Sequence, residues 1–192
     1  MDSSKFYRIS KPLIYFKLMR EKDRKQIESF AKSFYWTPKD YYWQHTLQVR
    51  KFSLLIQEKE GGDRDVVEVA ALLHDVGKAE LLAPGHEELS AQIAEEFLAS
   101  MAFDKDKIEL VGRCIRYKDP DLLEARILRS ADSMSLLADD SGGREWYFEN
   151  VLENNREKIL REIEKSWSEI EFGHAREVVR GDYEKLEKEY SR

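Results

Sequence analysis

The stretch Ala70-Ala71-Leu72-Leu73-His74-Asp75-Val76-Gly77-Lys78 decides how the rest of the chain is read. A short apolar run leads directly into an imidazole and a carboxylate. Just upstream, Val67, Ala71 and His74 recur at helical spacing, which predicts a helix from near Asp63 to Gly77 with His74 on its core-facing side. Asp75 follows at the edge of that face. An ionised carboxylate buried without a partner costs several kcal/mol, so Asp75 needs a cation or a dense shell of hydrogen bonds.

Working outward, the same anomaly recurs. His45, Val49, Phe52 and Ile56 form one stripe, and Ala125, Leu128, Asp132 and Leu136 form another. His86, Leu89, Ile93 and Phe97 line up on a third. Any one of these polar residues has an ordinary explanation. His45 alone reads as a satisfied core histidine, His86 as a helix-start residue, and Asp132 as a partner for Arg129. Together they set imidazoles and carboxylates into one greasy interior. Imidazoles do not supply positive charge reliably at pH 7, whereas a divalent ion does. Nitrogen and oxygen donors suit Mn, Fe, Co, Ni or Zn better than Ca.

Prolines and glycines divide the chain into helices, and no period-2 strand pattern is visible. Helices are expected from Pro12 to about Phe34, from the Thr37-Pro38-Lys39-Asp40 start to Gly61-Gly62, after Pro84-Gly85 to about Met101, after Asp104, and after Pro120. Beyond Gly142-Gly143, helical sequence is expected from Arg144 to about Glu171 and again from His174. The fold class is therefore all-α, a helical bundle. Its expected units are an N-terminal helical extension (1–36), a main domain (37–140) and a C-terminal helical extension (141–192). The C-terminal helices suit either a homodimer contact or closure of the bundle. The charged residues of 153–165 read as a solvated face, and His174 as a surface or helix-start residue.

At AALLHDVGK, with His45 before it and Ser130-Ala131-Asp132-Ser133 after it, the chain resembles the HD-domain metal-dependent phosphohydrolases. The resemblance spans about residues 40–140. It implies an HD-domain-like helical bundle in which His45, His74, Asp75 and Asp132 bind one divalent metal ion, with Mg added to the metals above. It also implies that Asp75 helps position the attacking water, that Lys78 sits near the substrate phosphate, and that His86 contacts substrate or water. Arg144 is a further substrate-binding candidate. Relatives with a second metal carry another histidine where this chain has Tyr117 or Lys118, so a single ion is expected. The nucleoside 5′-monophosphatases carry a glutamate where Lys78 stands, which points away from that branch.

The expected activity is hydrolysis of a phosphate ester in a small molecule, a nucleotide or related metabolite. The alternative is a catalytically silent nucleotide-binding regulatory module. The chain has 192 residues and a formal net charge of −6, which argues against nucleic acid as a partner. It has one cysteine, Cys114, read as a buried inert thiol. With no apolar leader or spanning segment visible, a cytoplasmic location with no membrane association is the expectation. No G-x-x-x-x-G-K-[ST] loop or G-x-S-x-G elbow is present.

Overall fold

In the computed structural model, residues 19–35, 41–79, 85–117, 119–138 and 143–191 are described. These residues are 81% helical and contain no strand. The helices are α1 (Glu21–Ser33), α2 (Tyr41–Glu60), α3 (Arg64–Leu73), α4 (His86–Ser100), α5 (Lys105–Ile115), α6 (Leu123–Leu137), α7 (Gly143–Asn150), α8 (Arg156–Glu169) and α9 (Gly173–Tyr190). A single 3-10 turn, Val76–Ala79, follows α3. The expected helix starts at Pro12, Thr37-Pro38 and Pro84, and the Gly142 break, lie outside the described residues.

The bundle is organised around α3. Every residue from Val66 to Leu73 except Glu68 is fully buried, and Glu68 is only 2% exposed. A helix apolar on all sides has to sit inside other helices, and α1, α2, α5 and α6 all pack against it. Its start is sharp because Asp63 accepts hydrogen bonds from the Asp65 and Val66 amides at 2.9 and 3.2 Å.

Charged side chains set the position of the neighbours. Arg24 of α1 and Arg50 of α2 both donate to Glu68 Oε1. Lys107 of α5 reaches Asp65 at 2.7 Å, and the Met19 amide donates to the same carboxylate at 3.0 Å. Truncating one partner of such a buried pair leaves an uncompensated charge, so the pairs discriminate strongly against shifted packings.

The turn after α3 brings the His74-Asp75 segment against the start of α4. Gly77 makes this approach close. A Cβ there would lie 2.7 Å from His86 O and 2.8 Å from Ser90 N. These are backbone atoms and cannot rotate away. Meanwhile the Gly77 amide donates to Ser90 Oγ at 2.9 Å. Gly77→Ala is therefore expected to destabilise the fold by about 1–3 kcal/mol, read as a lowered Tm. A mutant melting within a degree of the wild type would show that the turn can shift freely.

Two expectations need correction. The run from Arg144 to Glu171 is two helices, not one. Glu153 and Asn154 adopt φ of 58° and 53°, and Asn155 caps α8 by accepting from the Lys158 amide at 3.0 Å. Asparagine tolerates the left-handed region and caps well, so Asn154-Asn155 is the break. In α4 the buried face is Ser90, Ala91, Ala94 and Leu98. His86, Leu89, Ile93 and Phe97 are half-buried beside it. Cys114 is buried as expected, and burial pushes its thiol pKa up, so it stays protonated and inert.

Candidate metal centre and cleft

His45 projects from the second turn of α2, His74 closes α3, Asp75 follows it, and Asp132 comes from α6. The fold brings the four together. His45 Nε2 lies 3.3 Å from His74 Nε2, 3.4 Å from Asp75 Oδ2 and 3.2 Å from Asp132 Oδ1. His74 Nε2 lies 3.4 Å from Asp75 Oδ2 and 3.9 Å from Asp132 Oδ1. Donor atoms of His45, His74 and Asp132 all fall within 4.8 Å of one another. An ion with ~2.1 Å bonds has neighbouring donors about 3.0–3.4 Å apart, so the spacing fits a single ion.

The outer ring nitrogens decide what the inner ones offer. His74 Nδ1 lies 2.9 Å from Ala71 O, which only accepts, so the neutral ring carries its proton on Nδ1. Ser135 Oγ donates to Asp132 O at 2.7 Å and therefore accepts from His45 Nδ1 at 3.0 Å. With both rings neutral, the two Nε2 atoms are bare lone pairs, facing each other and two carboxylates. Such a group of acceptors is stable only around positive charge, and fixing the tautomer through the outer nitrogen is how metal-binding histidines are oriented.

The electrostatics agree. Burial alone would lower the His45 pKa, but hydrogen bonds to Asp132 and Asp75 outweigh it and push the value up to about 9. A proton here takes the place of a cation. Burial works to raise the Asp75 pKa, yet His74 and Lys78 hold it well below the ordinary value. Burial likewise opposes ionisation of Asp132, and His45 outweighs it. Arg129, the alternative partner considered for Asp132, pairs with Glu171 instead.

Lys78 Nζ lies 2.7 Å from Asp75 Oδ2. Burial disfavours its charge, but Asp75 and Asp132 raise its pKa. His86 Nε2 lies 3.5 Å from Asp75 Oδ1, so the carboxylate has imidazoles on both sides. Arg144 donates to Leu137 O at 2.9 Å and to Glu145 at 3.2 Å.

A cleft of about 130 Å³ opens from His45 and Asp132, with Lys78 and Arg144 in its wall. Its far side comes from α7 and α8, through Tyr147, Glu162, Lys165, Ser166 and Glu169. The glutamates and lysines of 153–165 are exposed as expected except Glu162, which is half-buried at the rim of this cleft. Glu162, Lys165 and Glu169 flank the buried stripe Ile159, Ile163 and Ser166, and that flanking position was the available signal. His174, at the start of α9, meets Glu60 at 3.3 Å and takes no part in this centre. Among the described residues no helix is long and apolar enough to cross a membrane.

The crystal structure of Bacillus subtilis YpgQ in complex with ADP superposes with a TM-score of 0.67 at 23% identity, covering 89% of this chain and 92% of that one. A second crystal structure of Bacillus subtilis YpgQ gives 0.65 at 22% identity, with 88% and 92% covered. These likenesses establish the fold. Ribonuclease Y of Sulfurovum sp. (strain NBC37-1) is 28% identical over 133 residues, 68% of this chain and 25% of that protein. Ribonuclease Y of Petrotoga mobilis (strain DSM 10674 / SJ95) is 29% identical over 138 residues, with 69% and 24% covered. The chain spans about a quarter of the length of these curated relatives. The sequence model of the HD domain matches residues 42–137.

Proposed function

The chain belongs to the HD domain family, and from that premise we propose that it is a metal-dependent phosphohydrolase acting on nucleotides, with His45, His74, Asp75 and Asp132 holding one divalent ion. The observation that carries this reading is the convergence of two Nε2 lone pairs and two carboxylates at 3.2–3.4 Å beside an open cleft. The donor set suits Mn, Fe, Co, Ni or Zn. When bound, the ion supplies Lewis acidity, lowering the pKa of a water and drawing charge off a phosphoryl oxygen.

The side chains supply the rest. Asp75, held ionised, accepts a hydrogen bond from the attacking water and orients its lone pair toward phosphorus. Lys78, held protonated, offsets the negative charge that grows on the phosphoryl oxygens. His86 faces the opposite oxygen of Asp75, and its ring hydrogen-bonds a phosphate oxygen in this proposal. Arg144 and Lys165 line the route by which a second phosphate would enter. The rings of Tyr41 and Tyr147, also in the cleft wall, offer flat apolar surface to a nucleobase. The ADP held by Bacillus subtilis YpgQ supports nucleotides as the ligand class.

The test is hydrolysis of nucleoside mono-, di- and triphosphates by protein stripped with chelator and reloaded with Mn²⁺, Co²⁺ or Zn²⁺. Turnover that appears on reloading supports the proposal. Tight nucleotide binding without turnover would favour a regulatory module. The ribonuclease Y relatives favour a second reading, cleavage of RNA phosphodiesters, so short oligoribonucleotides belong in the same assay. The formal charge of −6 and the glutamates of the cleft weigh against that reading.

A further inference from the structure

The cleft that opens from His45 and Asp132 has walls of two kinds. Lys78, Arg144 and Lys165 suit phosphate, whereas Glu162 and Glu169 repel it. The two glutamates are held differently. Glu162 lies 3.5 Å from the Lys165 ammonium, three residues along α8. Lys165 also feels the charge of Glu169, but Glu169 forms no ion pair among the described residues. It is also the last residue of α8, where the helix dipole disfavours negative charge.

Hydroxyls hold Glu169 where a cation would be expected. Ser133 Oγ donates to Glu169 Oε2 at 3.0 Å. Ser130 Oγ accepts from the Glu171 amide at 3.1 Å and donates to the Glu169 carbonyl at 3.4 Å. Both serines are buried on α6, and Ser133 directly follows Asp132. The end of α8 is thus pinned to α6, with the carboxylate in the cleft wall beside a proposed metal ligand. Its Oε1 has no hydrogen-bond partner among the described residues. A carboxylate fixed at so unfavourable a place in a phosphate-binding cleft needs a neutral donor to face it.

A nucleotide offers such donors on its sugar and on its base. The sugar is bonded to the phosphate that the metal centre takes, and Glu169 is tied to the residue next to Asp132, so the sugar is the part that meets it. We propose that Glu169 accepts hydrogen bonds from the vicinal hydroxyls of ribose and so selects ribonucleotides over 2′-deoxyribonucleotides. This rests on the nucleotide phosphohydrolase reading above. A site built to bond a hydroxyl rejects the analogue that lacks it, because its own acceptor is then left unmet.

Two measurements on Mn²⁺-loaded wild type and Glu169→Ala test it. The first is kcat/KM for AMP, ADP and ATP, each beside its 2′-deoxy form. The second needs no turnover: calorimetric titration of adenosine and of 2′-deoxyadenosine. Wild type should favour the ribose form about tenfold in both, the worth of one hydrogen bond to a charged group. The variant should favour neither, while its affinity for inorganic phosphate stays unchanged. Discrimination that is absent from wild type, or that survives intact in the variant, would overturn the role of Glu169 and leave the hydrolytic activity standing. A variant altered in its choice between adenine and guanine, with sugar preference intact, would place the carboxylate on the base and overturn it too. Wild type that neither hydrolyses any of the six nucleotides nor binds either nucleoside would overturn this inference together with the reading it rests on.

Discussion

Asp75→Asn lowers kcat for nucleotide hydrolysis roughly 10³-fold while the protein stays folded, the loss expected when a group orienting the nucleophile loses its charge. Asparagine has the same shape, so the packing at the end of α3 is kept. The charge is what disappears. Asp75 Oδ2 serves His45, His74 and Lys78 at once, at 3.4, 3.4 and 2.7 Å. An amide oxygen there still accepts from Lys78 but carries no charge to hold the ion or the lysine. Turned the other way, the NH₂ group meets the Lys78 ammonium, which repels it, or donates to an imidazole lone pair that the ion needs. The variant should bind the ion more weakly and leave water unoriented even when the ion is saturating. Steady-state kinetics at saturating Mn²⁺, with a thermal melt as control, measures this. A folded variant keeping more than about a tenth of wild-type turnover would remove Asp75 from the chemistry, given the size expected for a general base.

Proton competition should make metal binding steeply dependent on pH. In the ion-free protein the hydrogen bonds of Asp132 and Asp75 overcome burial and lift His45 to about 9. The proton and the ion need the same Nε2 lone pair. Below that pH each ion bound expels one proton, so apparent affinity weakens about tenfold per pH unit lowered. From pH 9 down to 6 the apparent Kd should rise about 10³-fold, and above 9 it should level off. Calorimetric titration of Mn²⁺ into stripped protein across this range checks it. A Kd that is the same at pH 6 and pH 9 would mean that the ion displaces no proton from His45.

The four converging residues were legible because each breaks a pattern. His45, His74 and Asp132 interrupt apolar stripes, and Asp75 follows one of them at the edge of a buried face. Patterning of this kind reports burial, and a buried acceptor demands a partner. The helical class was legible for the same reason, and the helix expected after Asp104 begins there, with Asp104 accepting from the Asp106 and Lys107 amides at 3.0 and 3.2 Å.

What was not legible depended on packing distance and on side chains with two environments. The face of α4 was misjudged because Leu89, Ile93 and Phe97 are larger than Ser90, Ala91 and Ala94. Small residues won because the Gly77 turn comes so close to Ser90. Glu162 looks fully solvated in sequence, since a charged residue at the rim of a cleft has the same neighbours in the chain as one facing water.

Anomalous diffraction from crystals of Mn²⁺-loaded protein, collected at the metal edge, addresses the central claim directly. The account predicts a single peak between His45, His74, Asp75 and Asp132, about 2.0–2.3 Å from the imidazole nitrogens. A peak elsewhere, or none there in protein that hydrolyses nucleotides, would contradict it.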